Sequence, residues 1–247
     1  MSAAFALEAD QLNIAFGGLK AVCDLTLKVP PRALHGLIGP NGAGKTTAFN
    51  LLSGFLTPDQ GEVRFDGHPL AGLKPHAICG LGLVRTFQIV RPFLHLSVLD
   101  NVRVGALARR PQMAEAREKA RAVIDRVGLG AKTDHAAAGL TLADRKRLEL
   151  ARALATEPTL LLLDEVMAGL NPTETAAIVG LIQRINEDGV SILLIEHNMR
   201  AVMTLSHRIV VLNFGEKIVE GPPAAVANHP RVIEAYLGEE YVHAPAC

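Results

Sequence analysis

Cysteine is scarce in this chain of 247 residues: there are three, at positions 23, 79 and 247, far apart and without C-x-x-C spacing. That pattern argues against a disulfide framework or a thiolate zinc site and fits a reducing cytosol. Net charge is missing as well, with 25 Lys and Arg against 25 Asp and Glu. No global field therefore draws the chain to nucleic acid or to an anionic membrane. The short basic run Arg145-Lys146-Arg147 reads as a solvated helix face rather than a binding stripe. No stretch approaches the roughly 18 consecutive apolar residues needed to span a bilayer. The start, Met1-Ser-Ala-Ala-Phe5, lacks the basic and apolar regions of a signal peptide. Any membrane role is expected to run through a partner. What is present is a globular composition, 49% hydrophobic and 20% charged, in a chain long enough for a substantial core.

The first 30 residues alternate as strands do (Leu12, Ile14, Phe16, then Val22, Leu25, Leu27, Val29), and Gly17-Gly18 between the runs predicts a tight reversal. Gly61 to Gly67 reads as a further strand ending in a turn. From about Val98 to Leu154 the pattern becomes helical. Ala116, Ala120, Val123, Ile124 and Val127 form an apolar stripe, Glu115 and Lys119 an i, i+4 pair, and Gly128 a stop. Strand and helix then alternate again. Leu160 to Leu163 is a continuous apolar run, as a strand buried on both faces requires. Asn171-Pro172-Thr173-Glu174 supplies an N-cap, a proline at the first helical position and a capping glutamate. Ile178, Leu181, Ile182 and Ile185 form the stripe of the helix that follows, which Gly189 ends. Val190 to Ile195 is another buried strand.

Between the apolar run Ala33–Ile38 and a helix-like segment from Thr46 to Leu52 stands Gly39-Pro40-Asn41-Gly42-Ala43-Gly44-Lys45-Thr46-Thr47. This is a complete G-x-x-x-x-G-K-[ST] loop in a strand, loop, helix context. Its glycines leave backbone N–H groups able to close round phosphate oxygens, and the helix start adds partial positive charge. Lys45 is placed to reach the β- and γ-phosphates and the Thr46 hydroxyl to ligate Mg²⁺. The expectation is nucleotide binding.

Two further segments extend that chemistry. Leu160-Leu-Leu-Leu-Asp164-Glu165 ends a buried strand in two acids: Asp164 is suited to hold Mg²⁺ directly or through water, and Glu165 to polarise an attacking water. Leu194-Ile195-Glu196-His197 ends the next strand in an imidazole able to hydrogen-bond a γ-phosphate. Taken alone, His197 reads equally as a strand-end capping group, and Gln88 in Arg85-Thr86-Phe87-Gln88 as a polar loop residue.

In order, the phosphate loop, glutamine, helical segment, apolar-Asp-Glu and terminal histidine resemble an ATP-binding-cassette ATPase, from about Ala6 to Glu239. Five stretches sharpen the match: Phe16–Val22, Arg85–Gln88, Ala168–Pro172, Ile195–Met199 and Ala235–Gly238. They resemble the ATPase subunits of branched-chain amino-acid importers. The resemblance implies an α/β P-loop core, a mostly parallel sheet plus N-terminal antiparallel strands, with an inserted helical subdomain. Its boundaries would be a core lobe at 1–90 and 156–247 and a helical subdomain at 91–155. It implies ATP and Mg²⁺ as ligands, with Thr46, Gln88 and Asp164 about the metal and Lys45, Gln88, Glu165 and His197 in catalysis. Phe16 occupies the place of an aromatic that stacks on adenine, although it reads equally as a core strand residue. The implied partners are membrane permease subunits, a second ATPase subunit, the same or different, and indirectly a substrate-binding protein. The implied place is the cytoplasmic face of the inner or plasma membrane, held there peripherally through the permease subunits.

One motif departs from the family. Where these ATPases carry Leu-Ser-Gly-Gly-Gln, this chain has Leu140-Thr141-Leu142-Ala143-Asp144. Thr141 keeps a hydroxyl for the nucleotide held by a partner subunit, and Ala143 adds a Cβ where backbone approaches phosphate. Asp144 brings a carboxylate that favours a helix start and repels a nearby γ-phosphate unless it faces away. A weakened clamp is the expectation. Ala168-Gly-Leu-Asn171 likewise ends in asparagine where many relatives carry aspartate. Alternatives are the same machine with another cargo (urea, amides, lipopolysaccharide), a non-transport cassette acting on DNA or the ribosome, and a small-molecule kinase. No coiled-coil insertion or second cassette supports the non-transport reading, and a kinase gives no reason for this motif order.

Overall fold

The computed structural model describes residues 5–88 and 91–242, the last six of these by backbone alone; Cys247 and the first four residues lie outside that range. The chain divides into two compact units. One is built from Met1–Pro75 with Ser191–Cys247, the other from His76–Val190.

In the first unit, β1 (Leu7–Phe16) and β2 (Leu19–Val29) form the expected hairpin, with Gly17 and Gly18 at φ 54° and 87°. Positive φ at both turn positions matches the right-handed strand twist and is open to glycine without penalty. β3 (Leu34–Ile38) is buried throughout and leads through residues 39–44 into α1 (Lys45–Leu52). β4 (Gln60–Phe65) and the two-residue β5 (His68–Pro69) complete an antiparallel sheet in the order β2-β1-β4-β5.

The second unit opens with α2 (Pro75–Leu81) and β6 (Leu83–Arg85). Three helices follow: α3 (Val98–Ala106), α4 (Met113–Arg126) and α5 (Leu142–Ala155). α4 buries Ala116, Ala120, Val123 and Ile124, the predicted stripe. Lys119 does not take the Glu115 partner that its spacing predicts; its ammonium lies 2.8 Å from Glu157 Oε1. β7 (Leu160–Asp164) is buried at every position and runs parallel to β6. α6 (Pro172–Glu187) starts with the predicted capping box: Asn171 accepts from the Glu174 amide at 2.9 Å and the Glu174 carboxylate accepts from the Asn171 amide at 3.0 Å.

The chain then returns to the first unit with β8 (Ser191–Ile195), α7 (Met199–Leu205), β9 (Arg208–Asn213), β10 (Glu216–Gly221), α8 (Pro223–Ala227) and α9 (Pro230–Val242). β3 lies between β8 and β9, parallel to both, and β10 closes antiparallel on β9. Leu37 pairs with Ile195 and Ile38 with Val211, so the carboxyl ends of β3, β8 and β9 lie side by side. In open α/β sheets that edge is where ligands bind. Among the described residues no helix is long and apolar enough to cross a membrane.

Candidate functional site

The glycine loop leaves β3 at that edge. A Cβ on Gly39 (φ 153°) would stand 2.1 Å from the Leu212 carbonyl oxygen, and one on Gly44 (φ 95°) 2.4 Å from that of Ala21. Both glycines are therefore required by space as well as by backbone angle. The loop is tied from below, where the Gly215 amide donates to Ala43 O at 3.1 Å. Lys45 is buried, and its ammonium donates to the carbonyls of Gly39 and Pro40 at 2.7 Å each, so the side chain lies back over its own loop. α1 starts from Gly44 with no side-chain cap. Its first amides and the positive end of its dipole are thus presented for an anion. Thr46, in the first turn, is exposed and Thr47 half-buried. These features fit a triphosphate: a backbone cradle, a lysine within it and an uncapped helix start.

His197 follows β8 on the same edge and is exposed; the next residue, Asn198, caps α7 by accepting from the Ala201 amide. Phe16 ends β1 with about half its surface exposed (48%), so it is not a core strand residue.

The second unit brings four predicted residues into two pairs. Gln88 Nε2 donates to Glu165 Oε2 at 2.7 Å. Thr141 and Asp144 form the other. Asp164, at the end of β7, is almost fully buried, and its Oδ2 accepts from Arg85 Nη2 at 2.7 Å within a buried ion pair. Glu165 is half-buried and takes a positive φ of 48°. A non-glycine residue there carries strain that packing around it must offset, a condition that clusters at active sites.

Asp144 is partnered within its own unit. It is 7% exposed, and its Oδ2 is bound by the Lys132 ammonium and by the Thr141 hydroxyl, the latter at 2.8 Å. Burial pushes its carboxyl up, but the bonds and charge of Lys132 and Thr141 more than offset this, and it titrates below the ordinary carboxylate range. Thr141 is the N-cap of α5. Leu142 is exposed and sits against the Ala168–Asn171 turn, with its Cδ2 at 2.9 Å from where a Cβ on Gly169 would stand; Ala143 is buried.

Thr46, Gln88 and Asp164 offer hard oxygen donors of the kind Mg²⁺ takes. No cluster of three or more His, Cys, Asp or Glu suited to a metal occurs among the described residues. By donor chemistry alone, an alcohol, an amide oxygen and a carboxylate suit Mg²⁺, which takes much of its shell from water and phosphate oxygens.

Three residues that bond the predicted ones or the segment beside them escape sequence reasoning: Arg85, paired with Asp164; Glu149, which accepts from the Phe87 amide; and Lys146, which donates to the Glu165 and Gln88 carbonyls. Arg85 was legible only as part of a matching stretch, Glu149 not at all, and Lys146 was assigned to a solvated face. The available signal was helical spacing: Lys146 shares its face with Leu150 and Ala153, both buried.

Comparison with known proteins agrees with this geometry. Residues 22–168 match the model of the ABC transporter family, and residues 216–242 match that of the branched-chain amino acid ATP-binding cassette transporter. The chain is 41% identical to the high-affinity branched-chain amino acid transport ATP-binding protein BraF of Pseudomonas aeruginosa, covering 94% of this chain and 98% of that protein. It is also 41% identical, with the same coverage, to LivG of Escherichia coli strain K12, which carries the same description. The solved ADP conformation of MJ1267, an ATP-binding cassette of an ABC transporter, superposes with TM-score 0.86 at 28% identity, covering 95% of this chain and 99% of that one. A strand-fed glycine cradle, a Gln88–Glu165 pair and a family match running nearly end to end place this chain in the ABC transporter family, among its branched-chain amino acid ATP-binding cassettes.

Proposed function

We propose that the chain is the ATP-hydrolysing subunit of an importer, driving uptake of branched-chain amino acids through membrane permease subunits. The observation that carries this reading is the glycine cradle: Gly39 and Gly44 tolerate no Cβ, and Lys45 is folded into the loop they form. Cargo and partners come from the relatives, since an ATPase of this kind does not touch what is carried.

In this reading the amides of residues 39–47 and Lys45 hold the phosphates of ATP, and Phe16 stacks on the base. By the family resemblance, Thr46, Gln88 and Asp164 would hold a Mg²⁺ ion, which would supply neutralisation of the phosphoryl oxygens. Glu165 removes the proton from a water attacking in line, ADP leaves, and His197 donates a hydrogen bond to the developing charge. The loop at Thr141–Asp144 serves the nucleotide held by a second ATPase subunit. Residues 1–90 and 156–247 act as the nucleotide-gripping core and 91–155 as the helical subdomain facing the permease at the cytoplasmic side of the membrane.

The test is Glu165→Gln in the chain assembled with its permease and partner subunits. The variant should bind ATP as the wild type does while turnover falls by about 10²-fold or more. Brisk hydrolysis would assign the base elsewhere, and failure of the wild type to retain Mg·ATP would end the reading.

A further inference from the structure

Lys146 is only 3% exposed, although it stands in the middle of the run Arg145-Lys146-Arg147. Its ammonium donates to two carbonyls from separate loops, Glu165 O at 3.0 Å and Gln88 O at 3.3 Å. One helical turn further along α5, Glu149 Oε1 accepts from the Phe87 amide at 2.8 Å. Residues three apart lie on one helix face. A single face of α5 therefore grips the Phe87–Gln88 segment from both sides, by its amide and by its carbonyl, and holds the backbone of Glu165 as well.

That hold acts where the backbone is strained. Glu165 takes φ 48°, and its carbonyl is bonded by Lys146 and by the Ala168 amide at 3.2 Å. A left-handed non-glycine residue costs about 1–2 kcal/mol. The direction in which its Cα–Cβ bond points follows from how that backbone is held. Its carboxylate is in turn met by Gln88 Nε2, and the Gln88 backbone is held by the same lysine.

We propose that Lys146 is a positioning residue for hydrolysis: by bonding the carbonyls of Glu165 and Gln88 it sets the orientation in which the Glu165 carboxylate meets water. The proposal rests on Glu165 being the base. Lys146 touches no substrate and acts only through Glu165 and Gln88.

The experiment compares Lys146→Met and Lys146→Arg in the assembled transporter, reading kcat, KM, affinity for a fluorescent ATP analogue and the melting temperature. Lys146→Met should lower kcat by about tenfold or more, with KM, analogue affinity and melting temperature close to the wild type. Lys146→Arg should recover most of kcat, since a guanidinium carries enough donors for both carbonyls. Three results would each overturn it: an unchanged kcat in Lys146→Met, loss of nucleotide affinity or fold in step with kcat, or no recovery in Lys146→Arg. Glu165→Gln, run alongside, separates the two claims. If that variant hydrolyses ATP at the wild-type rate, the assignment of the base fails and takes this proposal with it; if it is inactive, the lysine variants test Lys146 alone.

Discussion

The Thr141 hydroxyl donates to Asp144 Oδ2 at 2.8 Å and accepts from the Asp144 amide at 3.2 Å, a reciprocal pair that closes the first turn of α5. With Lys132 on the same carboxylate oxygen, Asp144 is engaged inside its own unit. Its charge is therefore neutralised locally. The modified loop reads as a helix start reinforced by a threonine and an aspartate.

Thr141→Ala should cost about 1 kcal/mol in urea unfolding, the usual price of an N-cap hydroxyl. Replacing residues 141–144 by Ser-Gly-Gly-Gln should lower stability further, because glycine in a helix costs about 1 kcal/mol relative to alanine. ATP turnover of that variant in the assembled transporter tests the weakened clamp. If neither turnover nor nucleotide affinity changes, the departure from the family motif has no bearing on the clamp.

Gly44→Ala should abolish nucleotide binding or raise the dissociation constant by about tenfold or more, since its Cβ would overlap the Ala21 carbonyl oxygen at 2.4 Å. Gly42→Ala is the contrast. Its φ is 77° but no atom lies within 4 Å of the added Cβ. Only backbone strain of about 1 kcal/mol is expected there. Titration with a fluorescent ATP analogue separates the two.

Arg85→Met removes the guanidinium from Asp164 and leaves a nearly fully buried carboxylate without that ion pair. Breaking a buried pair from one side typically costs about 3–5 kcal/mol. The denaturation midpoint should shift accordingly, and a shift equivalent to less than about 1 kcal/mol would show that Asp164 finds other partners.

His35 on β3 is buried, and its pKa is lowered from 6.5 to about 4, by burial first and then by the nearby Arg208 and His207, with Glu220 acting the other way. The folded chain thus keeps this imidazole neutral where the unfolded chain protonates it. Stability is fully present above the unfolded value and falls as pH drops from 6.5 towards 4. The loss from this group is up to about 3 kcal/mol. Unfolding measured at pH 7 and pH 5 should show a smaller difference for His35→Gln than for the wild type, and equal slopes would remove His35 as the cause.

Much of the site is legible in the chain because its chemistry is local. Residues 39–47 carry glycine spacing, lysine and hydroxyl in one continuous stretch, and β7 and β8 are marked by the apolar runs at 160–163 and 192–195. The Asn171–Glu174 capping box and the Gly17-Gly18 turn involve residues within four positions of each other, and both form as read. Backbone conformation over such spans follows from steric limits and local hydrogen bonds.

Side-chain partners separated along the chain were decided by tertiary structure. Lys119 meets Glu157 and not Glu115, Lys146 leaves solvent for the carbonyls of Gln88 and Glu165, and the Asp144 carboxylate takes Lys132. Arg85 found Asp164 only because β6 and β7 lie in parallel register, with Arg85 opposite Leu162. A long charged side chain is free to reach several groups from one Cα. Which it takes depends on packing and desolvation around it, and those are set by residues remote in sequence.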